Sequence, residues 1–101
     1  MKESALCPRL AKAMELIGKR WTALIIYQLL DGPQRFNAIE SALPISGRLL
    51  SERLKELEKE EVVERKVYSE VPIRVEYSLT EKGLSLEGAV REIEKWAQKW
   101  I

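Results

Sequence analysis

Two sets of residues in this chain have the types and spacing to do chemistry: a lone thiol, Cys7, and a run of charged side chains between Ser46 and Lys59. Cys7 directly precedes Pro8, which places it at the N-cap of a helix, where the positive end of the helix dipole and nearby Arg9 or Lys12 favour thiolate. The competing role is a small thiol packed at an interface between subunits. Nothing in the chain supplies a catalytic partner. With one cysteine and no histidine, an intramolecular disulfide, a Cys/His zinc site and a histidine base for nucleophilic catalysis are all excluded. No enzyme, metal or cofactor is expected.

The second set lies in ISGRLLSERLKELEKEE, residues 45–61. On a helical wheel Leu50, Leu54 and Leu57 fall within about 60° of one another, while Arg48, Ser51, Glu52, Lys55 and Lys59 cover an arc of about 100° on the opposite side. Ser46 can cap this helix through its hydroxyl. Taken alone, the charged side is a solvated face satisfied by i,i+4 pairs with Glu52 and Glu56. What surrounds it decides whether it has another use.

The chain has 101 residues, 46% of them hydrophobic, which fits one compact domain over 1–101. Charged residues make up 33% and cancel to +1, so evidence for a polyanionic partner has to come from local placement. Lys2, Glu3, Arg9 and Lys12 interrupt any signal-peptide core and no apolar run reaches membrane-spanning length, so a cytoplasmic protein without a membrane partner is expected. Cys7-Pro8 opens a first helix, about 8–17, that Gly18 ends. A second helix runs from about Lys19 to Leu30, apolar on nearly every side through Trp21, Leu24, Ile25, Ile26, Leu29 and Leu30, and should sit at the centre of the core.

A short helix follows over about Phe36 to Leu43, broken by Pro44-Ile45, and then comes the amphipathic helix already described. Short helix, tight turn and longer helix make a helix-turn-helix over about 36–60. After Glu61 the period changes to two. VVERKVY and RVEYSL read as a hairpin over about 62–80 whose proline-containing loop, SEVPI, projects as a wing. Thr80 caps a last helix over about 81–100. The fold expected is therefore α+β and mostly helical, a winged helix-turn-helix with extra N- and C-terminal dimerisation helices. In that setting the charged face meets a major groove, with Ser46 and Gly47 letting backbone approach phosphate and Arg48 reaching a base edge.

CPRLAKAMELIGKRWTALIIYQLLDGPQRF, ISGRLLSERLKELE and VVERKVYSEVPIRVEYSLTEKG together span residues 7–83. The sequence resembles the HxlR family of winged-helix transcription regulators, relatives of the MarR group. The resemblance implies a dimeric DNA-binding regulator whose recognition helix carries Ser46, Gly47, Arg48, Ser51, Glu52 and Lys55, with Lys66 and Arg74 of the wing near the minor groove or its flanking phosphates. Gly47 departs from the family, which often has a larger polar residue there. Glu52 either accepts from a cytosine amino group or holds Arg48 in place. Arg53 and Arg35 serve as phosphate clamps or as intramolecular partners. The resemblance also implies that Cys7 senses electrophiles or oxidants, with DNA released after modification or intersubunit disulfide formation. The effector and operator are unknown.

The last helix is too wide in its apolar surface for one core. Leu86, Val90, Ile93, Ala97 and Trp100 form a stripe that Ala89 and Trp96 extend sideways. Burying Ala89, Val90, Ile93, Trp96, Ala97 and Trp100 with Leu6, Leu10 and Met14 of the first helix would build an isologous homodimer, which would read double-stranded DNA at an inverted repeat. The competing function is a protein-interaction winged helix without DNA binding, motivated by the near-zero charge and by Glu56, Glu58, Glu60 and Glu61.

Overall fold

A computed structural model describes residues 7–101. The order is α1 (Pro8–Ile17), α2 (Thr22–Leu29), α3 (Phe36–Ala42), α4 (Gly47–Lys59), β1 (Val63–Tyr68), β2 (Arg74–Leu79), α5 (Glu81–Leu84) and α6 (Glu87–Trp100). It is a winged helix-turn-helix. β1 and β2 pair antiparallel from Val63↔Leu79 to Tyr68↔Arg74. A bridge between Gln34 and Tyr77 adds the segment before α3 to the free edge of β2. Among the described residues no helix is long and apolar enough to cross a membrane.

The core is built where the apolar periodicities converge. Ile25, Ile26 and Leu29 of α2, Ile39 of α3, and Leu50, Leu54 and Leu57 of α4 are buried together with Val62, Val63, Leu79 and Val90. Each such aliphatic side chain contributes roughly 1.5–3 kcal/mol through removal from water. The helix-turn-helix is fixed by this packing, because Ile45 in the turn is buried and Leu43 packs against the same cluster.

Three expectations need correction. The second helix starts at Thr22, since Trp21 takes a left-handed conformation, φ 79°. Its ring packs on the core and Arg20 lies 5.0 Å from it, interactions that offset the strain of a bulky residue at positive φ. That helix is also not wrapped on every side, because Leu24 and Tyr27 are 48% and 37% exposed. The last helix is two helices. Thr80 caps α5 through Gly83 N–H and donates to Glu61 O, and Lys82 donates to Glu60 O. α5 is thereby pinned to the turn after α4. Gly83 is glycine for lack of space, since a Cβ there would collide with the Val62 carbonyl. The chain redirects at Ser85-Leu86 before α6 runs outward.

Candidate nucleic-acid interface

α4 presents two unlike sides. Leu50, Leu54 and Leu57 are buried, while Arg48, Glu52, Lys55 and Lys59 are exposed. Ser46 caps the helix as its sequence position suggested, its Oγ accepting from Leu49 N–H at 3.2 Å. Arg48 is 92% exposed, with Glu52 3.5 Å away, a weak solvent-screened pair that a stronger anion can replace. Among the described residues Lys55 and Lys59 have no carboxylate in ion-pair range. Ser51 is half-buried at the edge of the face.

Gly47 also has a role within the fold. The space a side chain would occupy is taken by Glu40 of α3, whose Oε2 would lie 2.7 Å from an added Cβ. Glycine here admits a carboxylate from the preceding helix to the positive end of α4. Arg53 is drawn back onto the body and is 17% exposed at its side chain. It donates to the Arg20 carbonyl at 3.1 Å and lies 3.4 Å from Glu56, which also pairs with Lys19 at 3.0 Å. Of its two sequence-derived roles, the intramolecular one is the one observed. Arg35, the N-cap of α3, stays exposed.

The wing cations divide sharply. Arg74 is encircled: it donates to Glu70 at 2.8–3.3 Å and to Glu76 at 2.6 Å, and its guanidinium lies 3.8 Å from the Tyr68 ring. Its hydrogen bonds to Glu70, then Glu76, raise its pKa further above the usual arginine value, and its own hydrogen bond holds Glu70 below the ordinary carboxylate range. Lys66 is 3.5 Å from Glu64. Arg74, expected near the minor groove, has its guanidinium engaged within the wing, because the hairpin register puts Tyr68 opposite it and Glu76 two residues along the same face. Sequence reading missed Glu70, Glu76 and Tyr68 as its partners. The strand alternation could have paired Arg74 with Glu76, but Glu70 is brought in by the loop alone.

Away from this face, α1 buries no residue and carries Leu10 and Met14 at 57% and 54% exposure. On α6, Ile93, Trp96 and Trp100 are 58%, 58% and 66% exposed. Val90 departs from the expected interface set, being packed in the core of the domain. Ala89 is exposed and Ala97 half-buried; Leu6 lies outside the described residues. Leu24 and Tyr27 of α2 join Ile93 and Ala97 along an apolar groove of 320 Å³. At its rim the Tyr27 hydroxyl donates to Glu94 at 2.6 Å, which raises the tyrosine pKa. Tyr27 has no place among the site residues read from the sequence. Cys7 is the N-cap of α1, exposed, with Sγ accepting from Leu10 N–H at 3.4 Å.

Comparison with known proteins places these features in a family. Residues 16–101 match the HxlR-like helix-turn-helix model. The chain is 59% identical to the helix-turn-helix-type transcriptional regulator YvaP of Bacillus subtilis, over all of this chain and 94% of that one. The transcriptional regulator YodB of the same species is 48% identical over 96% of this chain and 88% of its own. The reduced YodB structure superposes with a TM-score of 0.84 at 49% identity, covering 94% of each chain. YodB is also known in diamide-treated and quinone-bound forms, which match at TM-scores of 0.79 and 0.81. A MarR-family regulator from Porphyromonas gingivalis matches at a TM-score of 0.90 and 34% identity over 100% of this chain and 99% of that one.

Proposed function

The chain belongs to the HxlR-like helix-turn-helix family, whose members are transcriptional regulators rather than enzymes, and we propose that it works in the cytoplasm as a homodimer on double-stranded DNA. The observation that carries this reading is the outer face of α4, where Arg48 and Lys55 stand in solvent while the opposite side anchors the core. A helix so anchored enters a major groove as a rigid unit. Arg48 contacts a base edge, Ser46, Ser51 and Lys55 contact flanking groups, and Arg35 meets a neighbouring phosphate. Glu52 orients Arg48. Burial of Leu10, Met14, Ile93, Trp96 and Trp100 against a second copy repeats the helix across a two-fold axis, so the operator is an inverted repeat with half-sites about one helical turn apart.

Selection of bound duplexes from random DNA, followed by anisotropy titrations across salt, tests this directly. If about seven phosphates are neutralised per dimer, log affinity falls against log salt with a slope near −6. Absence of a selected sequence together with a nearly flat slope would remove the DNA reading and favour a protein partner.

The exposed thiol adds a regulatory element. The diamide-treated and quinone-bound states of YodB support a role for Cys7 in responding to oxidants or electrophiles, with DNA release as the output. DNA release by diamide that Cys7→Ser abolishes is the expected result. DNA binding unchanged by diamide assigns Cys7 to packing.

A further inference from the structure

The wing carries three cations, Arg65, Lys66 and Arg74, and they are not equivalent. Arg74 has carboxylates on all sides, from Glu70 across its Nε and one terminal nitrogen and from Glu76 at the other, with Tyr68 against its plane. The Glu70 and Glu76 charges are equally committed to it. Glu64 lies beside Lys66 at 3.5 Å. Glu64, Lys66, Tyr68, Arg74 and Glu76 alternate onto one face of the hairpin. That face is self-neutralising.

Arg65 is on the other face. It stands opposite Tyr77, between Val63, buried in the core, and Val67, 52% exposed. Val63 packs into the cluster that includes α4. Beyond the edge of the core the same face continues as Arg65 and Val67, on the side where the recognition helix packs. Arg65 is exposed and, among the described residues, has no carboxylate in ion-pair range.

We propose that Arg65 is the wing's phosphate contact and that Arg74 is a positioning residue that neutralises Glu70 and Glu76, so that an otherwise acidic wing can approach DNA. The assignment rests on the DNA-binding reading and divides labour within it. An uncompensated Glu70 and Glu76 would repel the backbone they must pass, whereas the Arg74 guanidinium already has its Nε and both terminal nitrogens engaged by two carboxylates and its charge balanced, which leaves it a poorer phosphate ligand than an unpaired arginine.

Full-length variants titrated against the selected operator and a random duplex over a salt series test the division. Arg65→Ala makes the slope shallower by about 2 per dimer, one phosphate per subunit. Arg74→Ala weakens binding at least tenfold to both duplexes, and E70Q/R74A/E76Q regains wild-type affinity or exceeds it. A direct contact would instead leave the salt slope of the triple variant shallower than wild type by about 2 per dimer, whatever its affinity. An unchanged slope in Arg65→Ala, or a triple variant as weak as Arg74→Ala with folding verified by circular dichroism, overturns the assignment. Loss of operator selection by the wild-type protein itself overturns the DNA reading beneath it.

Discussion

α4 and the wing are both rich in charge, yet they are held in place by opposite means. α4 is anchored by Leu50, Leu54 and Leu57, all buried, so its outer cations owe nothing to the fold and Arg48 stands 92% exposed. Within its two strands the wing buries only Val63 and Leu79, at its base. Toward the tip it is braced by Arg74 with Glu70, Glu76 and Tyr68, so the charges on that face are spent on the hairpin itself. A cation is available to a partner where apolar packing has already fixed its backbone.

The largest test of that contrast is Leu54→Ala. Truncating a fully buried leucine in the anchor should cost about 2–5 kcal/mol of stability, read from urea unfolding, whereas Arg74→Ala, removing half-buried ion pairs at the edge of the fold, should shift the midpoint less. Comparable losses would mean that the wing brace supports the whole domain. Next in size is Arg48→Ala, which should weaken operator binding by about 1–3 kcal/mol while leaving random DNA nearly unaffected and stability unchanged. Equal losses on both duplexes would make Arg48 a phosphate contact.

Ser46→Ala removes the cap from α4 and should destabilise by roughly 1 kcal/mol in thermal melts; a neutral result would mean that water or Glu40 replaces the hydroxyl. The smallest effect is a pH response confined to the wing. Hydrogen bonding from Arg74 lowers the Glu70 pKa below its reference of 4.5, so the brace contributes fully above that value and is lost as pH falls through the lower folded one. Hydrogen-exchange protection factors of the Lys66 and Glu76 amides, which pair across the ladder, should fall on acidification within that range before those of α4 respond. A simultaneous fall in both regions would contradict the separation.

Much of this was legible from local pattern. The leucine spacing of α4, the Ser46 cap, the Pro8 start and the two-residue period of VVERKVY and RVEYSL each depend on neighbours within a turn or a strand. Chemistry so local is written in order along the chain. The winged helix-turn-helix followed from those elements in sequence, and the exposed apolar residues of α1 and α6 followed from a stripe too wide for a domain this size.

Other features depended on segments distant in sequence meeting in space. Trp21 at positive φ is tolerated because its ring reaches the core, and the last helix breaks because α5 is pinned beneath the turn at Glu60 and Glu61. Arg53 turns inward because the α1–α2 connection offers it the Arg20 carbonyl, and Val90 enters the core because α6 leaves α5 in a new direction. The sequence by itself determined which elements form and which faces they bury, since apolar periodicity and capping are short-range. Only the tertiary structure decided which cations remain free, since ion pairing depends on where the hairpin register and loop carry each carboxylate.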